Sequence, residues 1–543
     1  MSLLNVFIFL IIFILLIIPV GKHISNLVTH QKTSFDFIFS KLEALIFKPI
    51  KFNYKNMSLK EYILAFLVIN IIMIILSYII LCLDGSSPSL AFNTAISFMT
   101  NTNLQHYSGE WLDGIASRFV ILNLMFTAPA TGLAICMAIT RSILGIRLGN
   151  FFEDLVKSIT RVLLPISLIT AVILVILGVP NTFETQTVIK TIEGQYQVIA
   201  LGPAAAWGAI KHLGTNGGGL FSANSVHPLE NISIYTNYIQ MMSMLLITGS
   251  TITAFGFAAK NKKQGWFVFL SVITLFILSF FIVYSFEKQG APIFNHYQIT
   301  GGNMEGKEVR FDIIASSLFT DVTTASETGS VNNMHDSLTP IGGMMAMWNM
   351  MLNCVFGGVG VGFMNIVMYM MLAVFLCGLM VGRTPEFLGK KLEAKEMQII
   401  TFLILIHPIL ILAPSAISLV VKAGLAGITN SGFHGISQVV YEYTSSAANN
   451  GSGFEGLADG TTFWNIATGI VMFLGRYISM VLMLVVGYSL YKKQAIPVNI
   501  STFKTDNLTF SFILFFIILI IGALTFLPAL ALGPIAEHLS IWG

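Results

Sequence analysis

The chain has 543 residues, is 55% hydrophobic and only 10% charged, and has a mean hydropathy of +0.80. Soluble domains carry roughly 25% charged residues, so this composition excludes a water-covered globule and makes lipid the solvent for most of the surface. The formal net charge of +3 is scattered over short loops, which excludes the basic stripe of a nucleic-acid partner.

An apolar run from Leu3 to Val20 opens the chain. It lacks the basic flank and small-residue cleavage site of a signal peptide and reads as a retained first helix. Runs of about 20 apolar residues, enough to cross a bilayer, follow. With the first they fall near 3–20, 62–83, 118–140, 162–180, 236–258, 266–285, 345–382, 398–421, 463–490 and 509–533. The seventh is too long for one simple span and is interrupted by Gly357, Gly358, Gly360 and Gly362. Cys82, Cys136, Cys354 and Cys377 have no metal-like spacing and read as free thiols, mostly in apolar helices.

Every second loop is basic. Lys22, Lys32, Lys41, Lys48, Lys51, Lys55 and Lys60 share one, and Arg141, Arg147, Lys157 and Arg161 the next. Lys260, Lys262 and Lys263 follow, then Arg383, Lys390, Lys391 and Lys395, then Lys492, Lys493 and Lys504. The positive-inside rule places these in the cytoplasm and both termini outside. The intervening outer loops 84–117, 181–235, 286–344 and 422–462 are long. Each holds an apolar stretch too short to span, then a run of Gly, Asn, Ser and Thr. Such stretches read as re-entrant segments, tolerated where they are buried in protein or line a watery cavity.

The four polar runs are Thr100 to Gln105, Gly214 to Gly219 with Asn224 beyond it, Thr323 to Asn332, and Ser445 to Ser452. Aligned on Asn103, Gly217, Gly329 and Gly451, they recur at intervals of 114, 112 and 122 residues. The expected fold is therefore an all-α polytopic membrane protein with four pseudo-repeated helix–pore-loop–helix units. The expected segments are 1–60 (first helix and cytoplasmic loop), 61–146, 159–258, 266–382 and 398–490 (pore repeats one to four), and 505–543 (last helix). Four converging loops of this kind exchange a monovalent cation's water shell for backbone carbonyls without a trapping negative charge. Glycine lets successive carbonyls turn to one axis, and a helix C-terminus behind each loop aims its negative end at the ion. Ordinary polar outer loops and tight helix crossings use the same small residues; the constant period favours the pore.

At these residues the sequence resembles the A subunit of the Kdp potassium-transporting ATPase. The stretches that carry the likeness are Asn101 to Glu110, Gly214 to Asn231, Met334 to Val367, Gly382 to Lys391 and Ser445 to Leu457, in family order along nearly the whole chain. The resemblance implies a subunit that takes potassium from outside through a selectivity filter of Thr102, Asn103, Gln105, Thr215, Asn216, Gly217, Asn224, Thr328, Gly329, Asn450 and Gly451. It implies potassium as the transported ion, held by filter carbonyls, no organic cofactor, and ATP used only by a partner. That partner is a catalytic P-type ATPase subunit of the KdpB kind, joined by single-span subunits of the KdpC and KdpF kinds in a prokaryotic inner membrane. Two positions depart from the family pattern: Leu104 stands where an aromatic is expected, and Thr328 stands directly before Gly329, where some members have a cysteine; the acidic Glu327 lies beside it. Glu327 sits either behind the filter or at its mouth.

Arg476 interrupts the ninth apolar run. It reads either as a charge below the filter that stops leakage to the cytoplasm, or as a helix-end arginine bound to carbonyls. Gly357, Gly358 and Gly360 read either as an unwound gate or as close helix packing. His106, His212, His227, His335 and His434 have no metal-site spacing and read as loop or structural residues. Glu110, Glu230 and Asp321 attract cations to the mouth or are solvated charges, and the methionines from Met344 to Met371 read as adaptable packing. No Walker A motif and no Asp-Lys-Thr-Gly-Thr motif occurs. Energy for transport must come from a partner or from an ion gradient, as in a channel-like symporter. No nucleophile–base pair or HExxH supports a membrane enzyme.

Overall fold

The computed structural model describes residues 2–33, 36–49, 55–111, 114–382, 384–495 and 503–543. Lys51 and Arg383 of the basic loops lie outside them. Ten helices are long and apolar enough to cross a membrane: Leu3–Val28, Leu59–Leu83, Ile115–Ile143, Phe151–Ile176, Ile234–Ala258, Lys262–Phe294, Val361–Met380, Ala394–Ser418, Thr462–Tyr491 and Leu508–Trp542. The four cysteines are free.

Four shorter helices lie between these spans: Pro88–Met99, Ala204–Leu213, Ile313–Ala325 and Phe433–Ala448. Each occupies one of the long loops, with a spanning helix on either side, so helix–short helix–helix recurs four times. Two begin with clear caps. Ser87 Oγ accepts from Leu90 N and is followed by Pro88 at the first helical position, and Asp312 Oδ1 accepts from Ala315 N at 2.8 Å. The short helices are buried almost throughout; every residue from Ala315 to Ala325 is shielded.

The fourth span begins eleven residues earlier than its apolar run, at Phe151, because Asn150 caps it by accepting from Phe152 N at 3.1 Å. It passes through a wide turn at Ile159–Leu163, just ahead of Pro165. Proline has no N–H to close the next helical bond. The carbonyl thus released, that of Arg161, is taken by His23 Nε2 at 3.0 Å. Arg141 and Arg161 are not free loop charges. Arg141 is fully buried against Asp154, whose other partner is the Tyr62 hydroxyl at 2.9 Å. Arg161 reaches Glu43 and Asp36, each at 2.6 Å.

The seventh apolar run is two helices, Pro340–Leu352 and Val361–Met380. Asn353, Phe356, Gly357 and Gly360 between them all have positive φ, which no helix accommodates. The first helix lies against Ile234–Ala258. A Cβ on Gly21 would stand 2.0 Å from Thr253 Oγ1 and one on Gly249 2.6 Å from Phe13, so the two backbones meet as small residues allow. Two small antiparallel pairs complete the structure: Gln186–Lys190 with Tyr196–Ala200, and Glu386–Phe387 with Lys390–Lys391.

His434, at the start of the fourth short helix, joins three parts of the chain. Its Nδ1 meets Glu537 at 2.8 Å and its Nε2 meets Asp336 at 3.1 Å. Burial opposes its charging, but the two carboxylates raise its pKa to about 9. A histidine raised in the folded state stabilises fully below its ordinary value of about 6.5 and loses that contribution as pH climbs through the folded value. Amide exchange in the Ala536–Trp542 turn is therefore expected to accelerate between pH 7 and 10 beyond its intrinsic rise. His434→Gln should show the faster exchange already at pH 7; equal protection in the two proteins would remove the bridge from the account.

Candidate cation-binding site

Each short helix ends where a polar loop begins, and the four loops share one backbone pattern. Asn101 and Asn103, Thr215 and Gly217, Glu327 and Gly329, and Asn449 and Gly451 all have positive φ, between +49° and +100°. Thr102, Asn216, Thr328 and Asn450 stand between them. Only glycine adopts this region freely, with Asn the next most tolerant, which explains the residues at six of these eight positions; Thr215 and Glu327 are held there by their surroundings. In each loop two positive-φ residues thus flank one whose φ is not positive.

The loops lean on one another in order. A Cβ on Gly217 would lie 1.8 Å from the Thr328 carbonyl oxygen, one on Gly329 2.2 Å from that of Asn450, and one on Gly451 1.9 Å from that of Thr102. Second loop abuts third, third abuts fourth, and fourth abuts first. The first loop meets the second through side chains. Asn101 Nδ2 donates to the Thr215 and Gly214 carbonyls at 2.8 and 3.1 Å. Gln105 pairs reciprocally with Gly219, its Oε1 accepting at 2.7 Å and its Nε2 donating at 3.1 Å. Asn103 stands in the place held by glycine elsewhere, and a Cβ on Gly218 would come to 3.0 Å from its Cβ and its Oδ1.

Amide side chains close the remaining joints. Asn449 Nδ2 donates to Thr102 Oγ1 at 2.9 Å, and Asn450 Nδ2 to the Thr323 carbonyl at 2.9 Å. Asn216 Nδ2 reaches the Met125 carbonyl at 2.9 Å. The hydroxyl pairs Thr100–Thr102 and Ser326–Thr328 match at 2.8 and 2.7 Å. Asn224 donates to the Gly217 carbonyl at 3.0 Å, while its Oδ1 accepts from Lys211 and from Ser330 at 3.1 Å. Lys211 is fully buried and paired with Glu230. Thus Glu230 is not a mouth charge. Nor is Asp321, fully buried and bonded by Asn349 at 2.9 Å. Glu110 instead holds the Ser222 amide at 2.8 Å.

On one side of the ring a cavity of about 210 Å³ is lined by Asn103, Gln105, Gly329, Gly451, Glu455 and Asp459. Elsewhere the ring meets the broken segment 353–360. Gly357 N donates to the Ala325 carbonyl at 2.8 Å, and Val359 N to Thr215 Oγ1 at 3.0 Å. A Cβ on Gly358 would stand 3.6 Å from Glu327 Cβ and 3.9 Å from an Arg476 nitrogen. A Cβ on Gly360 would strike the Gly132 carbonyl at 2.2 Å. Arg476 lies mid-helix in Thr462–Tyr491, is 3% exposed, and has no acidic partner among the described residues. It is therefore not a helix-end arginine. Glu327 is also buried and closes no hydrogen bond among the described residues. Gly358, Glu327 and Arg476 thus converge behind the loops.

Sequence reasoning singled out the glycines of the loops but missed the bracing Asn101 and Asn449, as well as Lys211, the partner of Glu230. The two-residue alternation of Asn or Gly was a usable signal for the first pair. Nothing in the sequence signals that Lys211 is buried.

The family described as potassium-transporting ATPase A subunit matches residues 7–539. A potassium-transporting ATPase potassium-binding subunit from Geobacillus kaustophilus is 52% identical over 98% of this chain and 98% of its own. One from Clostridium acetobutylicum is 50% identical over the full length of both. Among solved structures, the potassium transporter TrkH from Vibrio parahaemolyticus superposes with a TM-score of 0.52 at 15% identity, covering 88% of this chain and 97% of that one. That likeness concerns the fold alone.

The close approach at Gly451 gives a direct test. Gly451→Ala must displace the Thr102 carbonyl, whereas Gly432→Ala, also at positive φ, has nothing within 4 Å. Thermal unfolding with and without potassium chloride is expected to lose its potassium-dependent stabilisation in Gly451→Ala and keep it in Gly432→Ala. A potassium Kd raised less than tenfold, about 1.4 kcal/mol, would show that the ring tolerates the methyl group.

Proposed function

The chain belongs to the potassium-transporting ATPase A subunit family, and from that premise we propose that it is the potassium-binding subunit of an ATP-driven uptake pump. The ring of four loops is its selectivity filter, and the single observation that carries this is the shared pair of positive-φ positions in all four. Thr102, Thr215, Asn216, Gly217, Thr328, Gly329, Asn450 and Gly451 present or shape the carbonyl ligands. Asn103 adds a side-chain amide at the mouth, and Gln105 and Asn224 hold the loops in register. The units 61–146, 159–258, 266–382 and 398–490 are its four repeats, flanked by 1–60 and 505–543.

Carbonyl dipoles replace the ion's water without a fixed charge, and the C-terminal ends of the four short helices add negative potential behind them. The cavity over Asn103 and Gly451 faces outside. Both termini share that side: Glu537 reaches His434, and Phe9 of the first helix stacks on Tyr238. The protein is a multi-pass subunit of a prokaryotic inner membrane, with a P-type ATPase subunit hydrolysing ATP and single-span subunits of the KdpC and KdpF kinds completing the complex.

Below the ring, Gly357, Gly358 and Gly360 form a break through which the ion leaves. Arg476 supplies the positive charge that keeps it from passing straight to the cytoplasm. Buried and unpaired, that guanidinium repels a cation strongly in a low-dielectric setting.

Two measurements test these roles. Potassium should stimulate ATP hydrolysis by the complex purified through this chain, and Gly217→Asp should raise the half-saturating potassium at least tenfold. If no ATPase co-purifies and the chain alone conducts potassium in liposomes, it is a self-sufficient channel instead. Arg476→Ala should keep potassium-stimulated hydrolysis but lose most potassium accumulation in proteoliposomes. Unchanged accumulation per ATP would take the barrier role away from Arg476.

A further inference from the structure

Beside the first filter loop lies a cluster of ligating side chains that the ring does not use. His106 follows the loop, Glu442 sits on the fourth short helix, and Asp459 precedes the ninth span. His106 Nε2 stands 3.2 Å from Glu442 Oε1 and 3.8 Å from Asp459 Oδ2. One ligand atom from each of the three falls within 4.8 Å of the others. Bonds of about 2.0–2.2 Å to nitrogen and oxygen put neighbouring ligands of a tetrahedral ion a little over 3 Å apart, close to this spacing.

Two further observations point to a ligand. His106 Nδ1 is held by the Asn465 side-chain oxygen at 2.7 Å. An acceptor there fixes Nδ1 as a donor, as in metal-binding histidines, and Nε2, which donates to Glu442 Oε1 at 3.2 Å, gives up that proton when a metal ion takes its place. Glu442 is 1% exposed, yet its Oε2 has no hydrogen-bond partner among the described residues. A buried carboxylate oxygen without a donor is costly, and a cation placed among the three groups satisfies it. The cluster also has an entrance. Asp459 is 29% exposed and lines the cavity over the ring together with Asn103, Gly329 and Gly451.

We propose that His106, Glu442 and Asp459 bind a divalent transition-metal cation, with Zn²⁺ the best fit, in the wall of the outer cavity. An imidazole and two carboxylates in a compact trio suit this class. Ca²⁺ needs six to eight oxygens, and a potassium ion gains little from the nitrogen. The bound dication opposes entry of a second cation by charge, so external Zn²⁺ inhibits the pump. This inhibition rests on the reading of the cavity as the potassium entrance; the binding itself does not.

The test uses the intact, tag-free complex stripped of metal with a chelator. Titration calorimetry with zinc chloride should show one site per chain, abolished in His106→Gln and weakened at least tenfold in Asp459→Asn. Asp459 is partly exposed, so its substitution leaves the packing of the core in place, and a monodisperse gel-filtration profile checks this. Zinc-edge X-ray absorption should show one imidazole with oxygen neighbours and no sulfur. Unchanged titration curves in both variants, or no binding below millimolar zinc, overturn the site. If binding follows the variants but wild-type potassium-stimulated hydrolysis is insensitive to zinc, the inhibitory role is overturned. If zinc binds as expected but potassium never stimulates hydrolysis, the pump reading fails and the metal site stands.

Discussion

A peptide group at membrane depth has no water to bond, so every unpaired N–H or C=O of an irregular loop must be satisfied by protein. Four such loops meet in this fold, and much of the remaining architecture answers their demand. Side-chain amides from Asn101, Asn216, Asn449 and Asn450 take carbonyls or hydroxyls of neighbouring segments. Even the break in the seventh run is tied to the ring, since Gly357 N and Val359 N spend their protons on the third short helix and on Thr215. The loops, the gap and the buried arginine behave as one polar assembly inside an apolar shell.

That assembly stands on charge pairs that the spans close over. Lys211 and Glu230 are 0% and 3% exposed, and Lys307 and Glu287 are both fully shielded. Removing one member of such a pair leaves an uncompensated charge and costs about 3–5 kcal/mol. Lys211 also bonds Asn224, which bonds Gly217. The position of Gly217 is therefore set through a chain that ends in a buried ion pair.

Much of this was legible in the sequence, because hydropathy and small-residue composition are local signals. The ten spans, the four re-entrant helices and the period from Asn103 to Gly451 all follow from runs of residues. The boundaries were less legible. Phe151 starts a helix in a stretch that looks like a basic loop, since Arg141 and Arg161 are silenced by acids that only folding brings near. The partners of His106 lie 336 and 353 residues away along the chain, beyond any motif. Arg476 was conspicuous as a charge in an apolar run, yet its neighbours Gly358 and Glu327 lie 118 and 149 residues away along the chain. Composition marked what is unusual; only the fold says what it faces.

The leaning order of the loops has a mechanical meaning. Three of them press a glycine face on the carbonyl of the next, from Gly217 to Thr328, from Gly329 to Asn450 and from Gly451 to Thr102, and amides join the first loop to the second. Such a closed hoop has no loose end at which strain can dissipate. A push on any one loop is passed round to the others, as tension is shared by the staves of a barrel. The ring then shifts or holds as a whole, and no loop moves alone.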